Sequence, residues 1–205
     1  MRTRPCGDQG LLVELPDGER VIALHRSLRA DPPPGLVEAV PAARTVLLIF
    51  DRTVTDAGRL TDDLARREIA AAPATVPGRL VEIPVSYDGL DLAEVALRTG
   101  LPEREVVARH LAPTYTVAFC GFVPGFGYLT GVDPRLRLPR RDSPRTRVPA
   151  GSVAIADEFT GIYPRPAPGG WHILGRTDAP LWSLDRDPPA LLRPGDQVRF
   201  VEVGR

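Results

Sequence analysis

The sequence contains no lysine and no asparagine, and all twenty-six of its basic residues are arginine. Without lysine there is no Schiff-base chemistry and no P-loop lysine, so any nucleotide used with this chain is not held by a Walker motif. Cysteine is scarce: Cys6 and Cys120 are the only two, which gives neither a disulfide framework nor a C-x-x-C pair. The three histidines, His25, His110 and His172, stand far apart and show no metal-ligand spacing, so no bound structural metal is expected. Long hydrophobic runs are absent. Val46–Phe50 is as long as any and is strand-sized, well short of the ~20 residues that span a bilayer. Met1–Gly10 carries arginines with no apolar stretch behind them, unlike a signal peptide, and a cytoplasmic protein with no membrane partner is expected. An excess of either charge is also missing. Twenty-six basic side chains offset twenty-six acidic ones, so the chain as a whole is not drawn to nucleic acid or anionic membrane.

At 205 residues the chain can bury one large core or two small ones. Leu11–Leu15 reads as a strand between Gly10 and Pro16-Asp17-Gly18. Glu19–Arg29 spaces Val21, Leu24 and Leu28 as a helix does, and Pro32–Gly35 stops it. Leu36–Val40 and Thr45–Phe50 read as a strand pair. Asp56–Ala72 reads as a helix with Leu60, Leu64 and Ile69 inward, and Arg79–Ser86 as a further strand. This β-α-β-β-α-β order is the ferredoxin-like split arrangement. Ala71–Pro77 reads as a linker, with the last strand open to either side of it. Asp91–Thr99 is predicted helical, with Asp91 and Glu94 spaced as a capping box and Gly100 as its terminator. Pro102–Leu111 is the next predicted helix. Beyond Thr114, short β-rich segments (Tyr115–Cys120, Ser152–Ala156, Trp171–Leu174 and Gln197–Val203) alternate with Gly/Pro turns, the pattern of a small barrel or sandwich.

The two helices around Gly100 invite a helix-turn-helix reading. Glu103 and Glu105 near the start of the second helix oppose it, because they would face phosphates. Ser152 follows Gly151 without the flanking glycines of a nucleophile elbow. His110 ends a helix, where the helix dipole alone accounts for an imidazole as well as catalysis does. His172 follows Gly169-Gly170-Trp171 and is the better binding-site candidate.

The segment Gly121–Thr177 holds most of the remaining chemistry. Six arginines, Arg135, Arg137, Arg140, Arg141, Arg145 and Arg147, fall within thirteen residues, with Tyr128, Tyr163 and Trp171 among or beyond them. Stiff Gly/Pro turns carrying arginines suit a small anion, because a guanidinium matches a carboxylate or phosphate at two points. Arg135 and Arg137 alternate with Leu136 and Leu138 and are expected in solvent. Arg140, Arg145 and Arg147 lie beside or near prolines and are the expected anion contacts.

Gly121–Leu129, Pro139-Arg140, Pro144–Ser152, Gly161–Pro164, Pro168–Trp171, Gly175–Thr177 and Pro194–Phe200 together resemble the allophanate hydrolase subunit 1 family, also called KipI-like. Within it the resemblance is nearest to the B subunit of bacterial ATP-dependent 5-oxoprolinase. It is strong over residues 80–203 and extends to Val85–Leu92, His110 and Tyr115. Gly127 and Asp157-Glu158-Phe159 depart from the family pattern. The resemblance implies an α+β chain: a ferredoxin-like α/β domain over residues 1–78, then a cyclophilin-like β-barrel domain over 79–205 that includes two preceding helices. It implies an ATP-dependent amidohydrolase subunit, inactive alone, that opens 5-oxoproline to glutamate using ATP with Mg. Its implied partners are a larger homologous subunit and a third, barrel-type subunit. The alternatives are a carboxyltransferase subunit of the urea carboxylase or allophanate hydrolase type, using biotin, and a kinase-inhibiting binding protein. Under the enzyme reading His172, Tyr128 and Tyr163 are the catalytic candidates. Arg140, Arg145, Arg147, Ser152 and Arg176 are the substrate or anion contacts. His110, Tyr115, Gly125, Gly169, Gly170 and Trp171 are supporting residues.

Overall fold

A computed structural model describes residues 1–67 and 78–204. The chain divides into two compact units, Met1–Val76 and Pro77–Arg205.

The first unit runs β1 (Arg2–Pro5), β2 (Gly10–Glu14), α1 (Gly18–Ala30), β3 (Leu36–Pro41), β4 (Thr45–Phe50) and α2 (Ala57–Arg66). The sheet order is β1-β2-β4-β3, with every neighbour antiparallel. Period-two burial along β4 puts Val46, Leu48 and Phe50 against Leu24 and Leu28 of α1 and Leu60 and Leu64 of α2. Both helices start at an aspartate whose carboxylate accepts a backbone N–H, Asp17 from Arg20 and Asp56 from Arg59, each at 2.9 Å. Helix α2 covers the start of the expected Asp56–Ala72 helix; Ile69 and the expected linker Ala71–Pro77 lie outside the described residues.

The second unit comprises β5 (Leu80–Val85), α3 (Leu92–Thr99), α4 (Glu103–Leu111), β6 (Tyr115–Cys120), β7 (Gly127–Thr130), a 3-10 turn at Pro134–Leu136, β8 (Arg145–Val148), β9 (Ser152–Ala156), β10 (Phe159–Ile162), β11 (Ala167–Gly169), β12 (His172–Arg176) and β13 (Gln197–Glu202). Strand β5, expected to complete the β-α-β-β-α-β set, pairs in parallel with β13 and buries Ile83 and Val85 in the second unit. The strand beside β2 in the first unit is β1, which the sequence pattern does not reveal.

Seven strands form one sheet in the order β12-β9-β10-β7-β6-β13-β5. Its two ends meet where Ser86 and Arg176 exchange backbone hydrogen bonds, both 2.9 Å, so the sheet is a nearly closed barrel. Residues 86–91 cover the free edge of β12 as well. Gly89 N–H donates to Leu174 O at 3.1 Å and Asp91 N–H to Ile173 O at 3.0 Å. The approach at Gly89 leaves no room for a side chain: a Cβ there would lie 2.3 Å from Ile173 O. One face of the sheet packs Val117, Leu129, Val153 and Ile155 against Leu92, Val95 and Val106 of the helices. The other packs Ala154, Ala156 and Ile173 with Phe126, Tyr163 and Trp171, under the β8–β11 pair. The helical pair around Gly100 is thus a lid on the barrel core, with Glu105 paired to Arg109 at 2.8 Å.

Candidate functional site

The sequence pattern makes Asp91 the cap of α3, but its carboxylate makes no capping bond. It reaches instead across the β12 edge and is 2 % exposed. Arg145 donates to it twice, NH1 to Oδ2 at 2.9 Å and NH2 to Oδ1 at 2.6 Å. Arg141 NH1 donates to Oδ1 at 2.9 Å, and the Ile173 N–H to Oδ2 at 2.7 Å. Burial pushes the Asp91 carboxyl upward. The Arg145 and Ile173 hydrogen bonds and the two guanidinium charges outweigh this and hold it below the usual carboxylate range. Arg141 also grips Glu94, and its own backbone N–H donates to Gly170 O at 2.8 Å. This cluster fixes α3, β12 and the loop before β8 against one another.

His172 belongs to the same corner. Its side chain is 0 % exposed, and its Nε2–H donates to Pro139 O at 2.9 Å. The other ring nitrogen, Nδ1, lies 3.9 Å from Glu94 Oε1 and has no hydrogen-bond partner among the described residues. Arg176, one of the expected anion contacts, is exposed and pairs with Asp88 at 2.9 Å. Arg176, Ser86 and Glu82 line a separate cleft of about 520 Å³ at the seam of the barrel.

His110 is equally buried and fully satisfied. Thr160 Oγ1 donates to Ala154 O at 3.1 Å, so it accepts the His110 Nε2–H at 2.9 Å, and Nδ1 accepts the Tyr87 hydroxyl at 2.7 Å. The ring stacks on Phe200 with centroids 4.7 Å apart, and the Tyr115 hydroxyl donates to His110 O at 2.7 Å. Burial lowers the His110 pKa to about 3, so the ring is neutral. His110 and Tyr115 are core residues.

The opposite face of the sheet carries an aromatic cluster, most of it buried. Phe119 stacks on Tyr128 at 4.3 Å, and Phe126 meets Tyr163 at 5.3 Å and Trp171 at 5.4 Å edge to face. Gly169 allows this packing, because a Cβ there would lie 2.2 Å from the Tyr163 hydroxyl oxygen. Burial raises the pKa of Tyr128 and of Tyr163, and the Arg140 guanidinium opposes it in both, so the two hydroxyls are neutral. Arg140 is exposed, and neither it nor Arg147 forms an ion pair among the described residues. Phe122 lies at the edge of the cluster, edge-on to Phe126 and Tyr163. It is 55 % exposed, yet its φ is 68°, a left-handed backbone that costs a bulky residue about 1–3 kcal/mol.

The structure therefore gathers Tyr128, Tyr163, Trp171 and Gly169 in one aromatic cluster and sets Gly170 against Pro144 and Arg141. Arg145 and His172 lie in the Asp91 cluster; the Arg145 charge is engaged internally rather than presented to a ligand. Ser152 is buried, its backbone carbonyl accepting the Tyr163 N–H at 3.0 Å, and Gly125 turns the chain against Trp182. Asp91 and Glu94, which the sequence pattern places in a capping box, instead share Arg141, and Phe122 is a residue that the sequence pattern does not single out. The aromatic at Phe122, set between Gly121 and Pro124-Gly125, is the available signal for the last.

The comparisons with known proteins agree with this architecture. A profile of the carboxyltransferase domain, subdomain C and D, matches residues 1–192. The chain is 43% identical over 171 residues to the B subunit of 5-oxoprolinase from Escherichia coli O157:H7, covering 82% of this chain and 78% of that one. It is 37% identical over 190 residues to the corresponding 5-oxoprolinase chain of Bacillus subtilis, covering 86% and 79%. Urea amidolyase of Saccharomyces cerevisiae is more distant, 25% identical over 240 residues, of which this chain spans 13% of the length. Among solved structures TTHA0988 superposes with a TM-score of 0.79 at 43% identity, covering 100% of this chain and 41% of that longer one. The chain belongs to the family of carboxyltransferase subdomains C and D.

Proposed function

We propose that the chain is a subunit of an ATP-dependent 5-oxoprolinase, acting with a larger homologous subunit and a third, barrel-type subunit in the cytoplasm. The observation that carries this reading is the 43% identity, over 82% of the chain, to a protein named as the B subunit of 5-oxoprolinase. We read the first unit as a ferredoxin-like domain ending near residue 78, with β1 at the edge of its sheet, and the second as a cyclophilin-like barrel.

The chemistry needs activation, because a lactam is an unreactive amide. Phosphorylation of its oxygen by ATP makes the ring carbon a good electrophile. One water then opens the ring and a second releases phosphate, giving glutamate, ADP and phosphate. Arg140 and the neutral Tyr128 and Tyr163 hydroxyls supply a preorganised cation and donors for a carboxylate or a developing oxyanion. Among the described residues no group of three or more His, Cys, Asp or Glu side chains is placed to hold a metal. With no lysine in the sequence either, we assign ATP and its Mg to a partner chain.

The test is reconstitution. The chain with its partner subunits is expected to release phosphate in a 5-oxoproline-dependent way, and the chain alone to be nearly inactive. Robust turnover by the single chain would refute the division of labour. The carboxyltransferase alternative has the family name and the distant urea amidolyase behind it. It predicts instead that biotin-borne carboxyl is transferred to a urea-type acceptor.

A further inference from the structure

Residues 138–141 form a strap between the 3-10 turn and β8, and three of the four are tied down. The Asp157 N–H donates to Leu138 O at 2.7 Å. His172 Nε2–H donates to Pro139 O at 2.9 Å, and the Arg141 N–H donates to Gly170 O at 2.8 Å. The Arg141 guanidinium is held in turn by Asp91 and Glu94. Arg140 is the exception: it is exposed and forms no ion pair among the described residues. Gly170 and His172 belong to one short stretch of chain, and their two bonds grip the strap on either side of Arg140. The Pro139 ring fixes a further backbone angle next to it.

The His172 ring is oriented for this grip and not for its own satisfaction. It is fully buried, and its Nδ1 has no hydrogen-bond partner among the described residues. Buried polar atoms are seldom left so, because an unmade hydrogen bond is costly. Glu94 Oε1, at 3.9 Å, is beyond hydrogen-bond reach. What the ring does hold is a backbone carbonyl in an irregular strap, which has no strand ladder to satisfy it. With no exposed area, the ring touches no substrate, so any effect it has on chemistry passes through what it holds.

We propose that His172 is a positioning residue for Arg140: through the Pro139 carbonyl it keeps the strap in one path and so holds the backbone from which the Arg140 cation is presented. A cation on a fixed backbone loses less freedom when it meets an anionic group. This rests on the 5-oxoprolinase reading, in which Arg140 meets a carboxylate or a developing oxyanion, and deepens it by naming what fixes that cation.

Three substitutions test the grip. In His172→Gln the amide nitrogen stands near the place of Nε2 and can still donate to Pro139 O. His172→Asn is too short to reach it, and His172→Phe fills the space of the ring without a donor; if one of these fails to fold, the other decides. The first measurement is nitrogen-15 relaxation on the full chain. The Arg140 and Arg141 amides are expected to be rigid in the wild type and His172→Gln, with order parameters of about 0.85, and to fall below about 0.6 in His172→Asn and His172→Phe. The Val117 amide, which donates to Asp196 O in the barrel, should stay rigid in all four. A rigid strap in both donor-free variants, or a strap equally loose in His172→Gln, overturns the proposal. The second measurement is a double-mutant cycle in the reconstituted complex. Arg140→Gln and His172→Phe should each lower kcat/KM for 5-oxoproline about tenfold, and the double variant should lose no more than Arg140→Gln alone. His172→Gln should recover most of what His172→Phe loses. Losses that multiply in the double variant mean that His172 acts by a route other than Arg140 and overturn the proposal. A wild-type complex with no 5-oxoproline turnover overturns the 5-oxoprolinase reading instead, and the relaxation measurement then decides alone whether His172 fixes the strap.

Discussion

His110 and His172 are both fully buried in the barrel unit, yet their surroundings differ. His110 sits inside the core with both ring nitrogens satisfied, in a chain of hydrogen bonds that ends on a backbone carbonyl. His172 sits at the sheet edge with one nitrogen bonded and the other facing a carboxylate 3.9 Å away. The first arrangement is closed and serves the fold. The second is joined to a cluster of charges that sets the loop carrying Arg140. The difference shows that burial alone does not separate a structural histidine from one near a site; the completeness of its hydrogen bonding does.

The widest separation of the two regions is expected from Asp91→Ala. It leaves Arg141 and Arg145 without their shared carboxylate and should cost about 3–5 kcal/mol, read by denaturant unfolding. The pH dependence has a definite sign. The Asp91 carboxyl is held below its unfolded value, so its contribution is present above the ordinary carboxylate range and lost as pH falls through the lowered folded value. Asp91→Asn should flatten that acid limb.

His110→Ala comes next, at about 2–4 kcal/mol, because the Tyr87 hydroxyl and Thr160 lose their shared partner. Here the linkage concerns a base. With a folded pKa of about 3, only the unfolded chain takes up the proton as pH drops below the ordinary histidine value near ~6.5. Stability therefore falls toward acid at up to about 1.4 kcal/mol per pH unit until the folded pKa is reached, and His110→Gln should remove that slope. A slope unchanged in the variant would reassign the titration to other groups.

Arg145→Ala is smaller. Arg141 and the Ile173 N–H still hold Asp91, so the loss should be about 1.5–3 kcal/mol of stability. A fall in activity with no change in unfolding would contradict the placement of Arg145 in the clamp. Arg137→Ala should do least, within about 0.5 kcal/mol, since the side chain is exposed and reaches only the Val132 carbonyl at 3.3 Å.

The same residues mark how far the sequence can be read. Strands β6 and β9 stand where their apolar runs place them, because five or six consecutive β-formers carry a signal of their own. The three- and four-residue strands β1, β7, β8, β10 and β11 leave no such signal, being too short and too rich in Gly, Pro or Arg to show a period. The site is obscured by distance in another way. The Asp91–Glu94 spacing matches a local capping box, and the partner that overrides it, Arg145, lies fifty-four positions away. Arg145 reads as an anion contact for the same reason: its anion is internal and remote in sequence. The strain at Phe122 is a matter of dihedral angle, to which residue identity gives only indirect access.

The parallel pairing of β5 with β13 bears on how the polypeptide is made. Leu80 lies beside Gln197 and Val85 beside Glu202, so the barrel joins its earliest strand to its last. A ribosome releases the chain from its N-terminal end, and β5 has to wait with one edge unmatched until β13 emerges. Contacts between segments so far apart in sequence are slow to form. The first unit, whose strands pair with near neighbours, has no such wait and can fold during synthesis. Nascent chains stalled before and after residue 202 should therefore differ sharply in protease resistance of the barrel and little in that of the first unit.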